Sequence, residues 1–219
     1  MTEYFQKKLF YNISLDEYHK LLTCLKARER HFLNGETICD FDQGFHSIGI
    51  LGKGSALVVR YEVNGTRTIL ERLEPQGLFG QFISYQGSPL AGISVVAAAP
   101  CDVLFIDCDC ISSPCSKACF HHSQLIRNLL GMISDRALHL SQRVEVLSQR
   151  SIREKLICYF LQLAGNQNSQ EFTLPFTMVD LADYLSIDRS AMTREMKHMK
   201  EEGLIEVNRK QIRLHLEGI

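Results

Sequence analysis

Three hydrophobic rhythms succeed one another along this chain of 219 residues. From about Ser14 to Leu25, apolar Leu15, Tyr18, Leu21, Leu22 and Leu25 recur at helical spacing. They stand behind a Ser-x-x-Glu capping box formed by Ser14 and Glu17, which predicts a short amphipathic helix. Between roughly Arg30 and Asp107 the period drops towards two. Turn signals punctuate this stretch at Asn34-Gly35, Gly52-Lys53-Gly54, Asn64-Gly65, Pro75-Gln76-Gly77 and Gly87-Ser88-Pro89. Short strands at that cadence predict a sandwich or jelly-roll barrel. The clearest hairpin runs from Ser55 to Val63, turns at Asn64-Gly65 and returns from Thr66 to Leu73.

From Ser123 the rhythm changes again. Ile126, Leu130, Ile133, Ala137, Leu140, Val144 and Leu147 stand alternately four and three residues apart, a heptad seam suited to a partner helix of its own kind. The alternative is a long core helix packed against its own domain. Polar residues at the other positions, among them Asp135, Arg136, His139, Ser141, Gln142, Arg143 and Glu145, leave only the seam to bury and favour a coiled coil. A further helix is predicted from about Ser151 to Leu163, ending at Ala164-Gly165, with a hinge near Gln149-Arg150-Ser151.

After Phe172-Thr173-Leu174-Pro175-Phe176, the pattern predicts a short helix from about Met178 to Leu185. The turn Ser186-Ile187-Asp188 leads to a longer helix from about Arg189 to Glu202, with Asp188 as its N-cap. Helix, short turn and longer helix form the geometry in which the second helix can enter a DNA major groove. At 100° per residue, Met192, Met196 and Met199 fall at roughly 280–340°, and Arg189, Ser190, Thr193, Arg194, Lys197 and Lys200 at roughly 0–140°. One face is core and its neighbour is basic; Glu195 and Glu202 lie outside the basic face, and Glu201 lies within it. The sequence from Gly203 to Val207, then Asn208-Arg209-Lys210-Gln211, then Ile212 to Leu216, reads as a strand, a basic turn and a strand, the form of a wing that touches phosphates.

Charge sharpens this picture. With 24 Lys and Arg against 25 Asp and Glu, the net charge of −1 gives no global attraction to nucleic acid, so any positive surface is local. No apolar run suited to a signal segment follows the N-terminus, and no stretch of about 18 apolar residues occurs, so a cytoplasmic location without membrane association is expected. The eight cysteines are then expected as thiols.

The segment from Val179 to Ile205, with Asp188-Arg189, Arg194, Met196, Met199 and Gly203-Leu204-Ile205 in register, resembles the Crp/Fnr helix-turn-helix. The order of elements over nearly the whole chain is similar too. The resemblance implies an α+β protein: a β-roll (jelly-roll) sensor domain over 1–120, a dimerisation helix over 121–149, and a winged helix-turn-helix over 150–219. It implies a homodimeric transcription regulator, not an enzyme, bound to a two-fold-symmetric site in double-stranded DNA, with RNA polymerase as a further partner. Arg189, Ser190, Thr193 and Arg194 match the family's base-contacting positions; Lys197 extends that face, and Arg209 and Lys210 form the wing tip.

The pattern departs from the family at the effector pocket, expected around Gly80, Gln81, Leu90 and Ala91. Cyclic-nucleotide-binding members carry Phe-Gly-Glu and then Arg-Ser/Thr-Ala, the Glu for the ribose and the Arg for the cyclic phosphate. Here Gln81 follows Phe79-Gly80, and Leu90-Ala91-Gly92 occupies the arginine register. A buried phosphate without its cation is costly, which argues against cyclic AMP.

Cys101, Cys108, Cys110, Cys115 and Cys119 crowd the junction before the long helix, followed by His121 and His122. Thiolate and imidazole are the ligands of zinc and iron–sulfur sites, and thiols also form reversible disulfides, so Cys108, Cys110, Cys115, Cys119, His121 and His122 are candidates for a metal or redox sensor. The spacing fits no standard ligand set, and cysteine is as readily a small buried hydrophobe; Cys101 and Cys108 are expected on a buried strand. Two other classes remain open: a cupin-like metalloenzyme using Cys and His ligands, and a ligand-binding module without DNA function.

Overall fold

A computed structural model of the chain describes residues 8–41, 45, 47–62, 64–80, 92–112 and 120–215. It divides into two compact units, Met1–Arg136 and Ala137–Ile219. Among the described residues no helix is long and apolar enough to cross a membrane.

The first unit opens with α1, Leu15–Cys24, whose Glu17 carboxylate accepts from the Ser14 amide at 3.1 Å, closing the expected box. Tyr18, Leu21, Leu22 and Leu25 are buried, but Leu15 is exposed, so the stripe is one residue shorter than its spacing implies. Among the described residues eight strands follow: β1 Arg28–Phe32, β2 Thr37–Asp40, β3 Ser47–Lys53, β4 Ala56–Tyr61, β5 Arg67–Leu73, β6 Leu78–Gly80, β7 Ile93–Ala97 and β8 Cys101–Asp107. They form two four-stranded sheets, ordered β1-β8-β3-β6 and β2-β7-β4-β5, with every pairing antiparallel. The predicted hairpin is β4–β5. Its Glu62 amide donates to the Thr66 carbonyl at 2.9 Å, and the Asn64 side chain accepts from the Thr66 amide at 2.9 Å, with Gly65 at φ +82°.

One core lies among inward residues of both sheets, including Phe32, Leu51, Val58, Leu73, Phe79, Val95 and Val103. A second joins Ile48, Ile50, Leu78, Leu104 and Ile106 to α1 and to Leu125, Leu129 and Met132. Strands β8, β3 and β6 of the first sheet are therefore buried on both faces, whereas β1 is largely exposed at its edge. That is why Ile48-Gly49-Ile50-Leu51 and Val103-Leu104-Phe105-Ile106 run nearly without polar interruption, where the expected period is two. Gly49 lies under the ring of Phe79: a Cβ there would come within 2.1 Å of that ring.

Beyond the roll the described residues include α2 (Cys108–Ser112) and α3 (Phe120–Leu147). Within the first unit, α3 shows two adjacent stripes. Leu125, Leu129 and Met132 are buried in the roll's second core, and Asn128 donates to the carbonyls of Leu9 and Tyr11 at 2.8 Å each. Arg136 donates to the Leu78 carbonyl at 2.7 Å and to the Glu71 carboxylate.

The second unit contains the rest of α3, then α4 Ile152–Gln167, β9 Glu171–Thr173, α5 Met178–Leu185, α6 Arg189–Glu201, β10 Ile205–Asn208 and β11 Gln211–Leu214. The Ser151 side chain caps α4 by accepting from the Glu154 amide at 3.1 Å. Ala164-Gly165 does not end this helix, as its sequence predicts. The helix continues to Gln167 and stops where Asn168 adopts the left-handed conformation, φ +49°, because asparagine as well as glycine tolerates that cap. Strand β9 has no counterpart in the sequence reading. It pairs with β11, placing Phe172 opposite Ile212 in a β10-β11-β9 sheet.

Candidate nucleic-acid interface

Thr177 caps α5 by accepting from the Asp180 amide at 3.1 Å. The chain leaves α5 through Ser186 at φ +52°, and the Ile187 amide returns to the Ala182 carbonyl at 3.1 Å. Asp188 then starts α6 as expected, its carboxylate accepting from the Ala191 amide at 2.8 Å. Two caps and one left-handed residue thus fix the turn that aims α6.

Met192, Met196 and Met199 are buried, and Arg189, Ser190, Thr193, Arg194 and Lys197 are exposed on the adjoining side. Thr193 donates its hydroxyl to the Arg189 carbonyl at 2.9 Å, leaving its oxygen lone pairs as acceptors. Lys197 faces Glu201 at 3.6 Å, an exposed i,i+4 pair. Among the described residues, neither Arg189 nor Arg194 has a side-chain hydrogen bond or ion pair, so both guanidinium forks are available to a ligand.

Sequence spacing does not show what happens to the other acids. Arg153, in the first turn of α4, donates from Nε to Glu195 at 2.6 Å and from its two terminal nitrogens to Glu202 at 2.7 and 2.8 Å. These bonds hold the Glu202 carboxyl below its ordinary range. Partners 42 and 49 residues away leave no periodic trace for a sequence reading to find.

The wing forms as predicted, with Asn208 paired to Gln211 across a two-residue turn of Arg209 and Lys210. Both are exposed, Arg209 lies at φ +55°, and the Lys210 carbonyl accepts from the Leu174 amide at 2.7 Å. On the strands behind this tip, Arg213 pairs with Glu171 at 2.8 Å, and His215 lies 3.0 Å from Glu206.

The seam residues stand apart from the roll-facing stripe. Ile126, Leu130, Leu140 and Val144 are exposed in the single chain, with Leu130 at 59% and Leu140 at 47%, as is Ala137; Ile133 and Leu147 are half-buried. Ile133 packs partly against the roll's own core. The roll-facing stripe is hidden in the sequence because Leu125 and Leu129 sit one residue before Ile126 and Leu130 and blur into the same pattern.

Of the expected effector-pocket residues, Gly80 ends β6 at φ +128°, where a Cβ would come within 2.2 Å of the Ser47 carbonyl oxygen. Gln81, Leu90 and Ala91 lie outside the described residues, as do Cys115 and Cys119 and the side chain of His121. Cys108 is not on the buried strand: β8 ends at Asp107, and both Cys108 and Cys110 are half-buried on α2. Burial, with Asp107 and Asp109 beside it, pushes the Cys108 thiol up to about 11. His122 Nε2 lies 3.2 Å from the Cys110 carbonyl oxygen. Cys101 is fully buried on β8 as expected. Among the described residues no group of three or more His, Cys, Asp or Glu side chains is placed to hold a metal ion.

Comparison with known proteins agrees with this architecture. Over 75 residues, 34% of each chain, the sequence is 33% identical to a Lacticaseibacillus casei protein named "Probable transcriptional regulator flp", so the match spans about a third of that relative. FixK2 from Bradyrhizobium japonicum superposes with a TM-score of 0.63 at 18% identity, over 86% of this chain and 92% of its own. The global regulator CLP of Xanthomonas campestris gives 0.70 at 12% identity, over 90% and 97%. Those two likenesses are of fold. The helix-turn-helix match does not favour the cupin-like metalloenzyme reading. With a cyclic nucleotide-binding domain matched over residues 29–116 and a Crp-like helix-turn-helix domain over 154–217, between them more than half of the chain, the protein belongs to the Crp/Fnr family.

Proposed function

We propose that the protein is a cytoplasmic transcription regulator that binds a two-fold-symmetric site in double-stranded DNA as a homodimer and acts together with RNA polymerase. The observation that carries this reading is α6, with its buried methionine face and, on the exposed one, Arg189 and Arg194, which have no side-chain partner among the described residues. Arginine at the start of a recognition helix can give guanine O6 and N7 two parallel hydrogen bonds, and Ser190 and Thr193 add short polar groups beside it. Lys197 extends the face, and Arg209 and Lys210 at the wing tip reach phosphates. The exposed seam of Ile126, Leu130, Ala137, Leu140 and Val144, with Ile133 and Leu147 at its edge, is the surface that pairs two chains. A net charge of −1 is compatible with this, because the positive surface is assembled locally.

The effector is a ligand other than cyclic AMP, given Gln81 where the ribose calls for Glu and Leu90 where the cyclic phosphate calls for Arg. The junction carrying Cys115, Cys119, His121 and His122, together with Cys108 and Cys110, is the proposed place for a metal or thiol signal to act on α3. Selection from a random duplex pool should return an inverted repeat with half-sites about one helical turn apart. An asymmetric or featureless pool would overturn the reading. Anaerobic metal and iron–sulfur analysis, with binding to the selected duplex before and after oxidation, tests the junction.

A further inference from the structure

We infer that Arg153 is a positioning residue for the DNA-binding surface: it draws Glu195 and Glu202 onto α4 and so keeps two carboxylates from opposing the phosphate backbone. This rests on the reading of α6 as the DNA-facing helix.

From Arg189 to Glu202 the chain carries four cations, Arg189, Arg194, Lys197 and Lys200, against three carboxylates, Glu195, Glu201 and Glu202. Unmanaged, the acids would cancel most of the field a polyanion meets. Glu201 is answered within the helix by Lys197. Glu195 and Glu202 are seven residues apart, about two turns, so they share one flank and a single side chain can reach both. Every nitrogen of the Arg153 guanidinium is engaged: Nε on Glu195, and the terminal pair on the two oxygens of Glu202. A lysine ammonium at the same position has no planar fork to reproduce this.

The location of Arg153 supports a dedicated role. It is the second residue of α4, two positions after the Ser151 cap. A cation is disfavoured there, because the helix N-terminus already carries partial positive charge. Carboxylates brought from α6 reverse that sign, so the end of α4 and the acids of α6 satisfy each other. The same bonds fix the flank of α6 that faces away from its free arginines.

The test compares four proteins: the parent, Arg153→Ala, Arg153→Lys, and Arg153→Ala combined with Glu195→Gln and Glu202→Gln. Affinity is measured for a random-sequence duplex and for a duplex the parent has enriched from a random pool, from about 50 to 300 mM salt. Arg153→Ala should bind both duplexes about threefold to tenfold more weakly at the low end, and the deficit should shrink as salt shortens the screening length. Neutralising the two glutamates should return affinity to within about twofold of the parent, and Arg153→Lys should fall between. A merely structural loss gives a deficit that persists at all salt concentrations and ignores the glutamines, and that result overturns the proposal. Parent-like binding by Arg153→Ala also overturns it. If Arg153→Ala loses its cooperative melt, the salt and rescue comparisons are made in the Arg153→Lys background, where the same signs are expected. A parent that binds neither duplex overturns the DNA-binding reading itself, an outcome visible before any variant is considered.

Discussion

Asp188 and the three methionines of α6 do what their spacing announces, because a cap and a buried stripe are local properties. Long-range pairs such as Arg153 with Glu202, or Gly49 beneath Phe79, leave no such trace, since topology alone brings them together. At Gly49 the consequence is steric. Gly49→Ala should destabilise the roll by about 1–3 kcal/mol, read as a lower denaturation midpoint, because the added methyl meets a ring packed against Phe45 and Phe105. At Arg189 and Arg194 the consequence is informational. Each change to alanine should cost about 1–3 kcal/mol on the selected duplex and relax discrimination at defined base pairs, whereas Arg209→Ala or Lys210→Ala should weaken all sequences alike. Equal losses from Arg189→Ala on selected and random duplexes would remove its base-reading role. The thiols divide as well. Burial pushes Cys39 up to about 12 and Cys101 up to about 11, whereas Cys24 is exposed on α1. Iodoacetamide at about pH 8 should therefore modify Cys24 before either of those two, which should stay intact until the fold opens, with peptide mass mapping as the readout.

Among the elements, α3 was half legible. Its seam stands out as a heptad repeat, but its roll-facing stripe lies about a quarter turn away and dissolves into the same apolar background. The two stripes make opposite demands on mutagenesis. Leu130→Asp with Leu140→Asp places charges where the single chain is open to solvent, so the roll should keep its fold while light scattering falls from dimer to monomer mass. A persistent dimer would place the interface elsewhere. Leu125→Ala, at a fully buried site, should instead cost about 2–5 kcal/mol of roll stability with the oligomeric state unchanged. The doubly buried strands β3 and β8 are legible in the sequence only as strands, not as covered on both sides. The period-two rule assumes one wet face, and β3 and β8 have none, which is also why the apolar pattern predicts a strand through Cys108, one residue past its observed end.

For the whole molecule, buried acids set a pH boundary. Cys39, Cys101 and Cys108 all rise from 9.0, to about 12, 11 and 11, chiefly through burial. The unfolded chain releases these protons before the folded one, so stability falls with rising pH across that interval. Their contribution is fully present below about pH 9 and is lost progressively from there towards pH 11–12. Urea midpoints should hold level from about pH 6 to 8 and decline above 9, and a Cys39→Ala variant should decline less steeply. A parent curve flat to pH 11 would mean that these thiols are not protected in solution.

The paired stripes of α3 also make the helix sensitive to phase. One residue inserted between Arg136 and Ala137 rotates everything beyond it by about 100°, so the outward halves of the seam would no longer share a meridian while the roll-facing contacts before the insertion stay intact. Four inserted residues add a nearly complete turn and bring the halves back to within about 40°. A length series of one to four insertions should therefore lose and regain association with the period of the helix, not with the number of residues added. Such a protein tolerates drift in the composition of this segment far better than drift in its length.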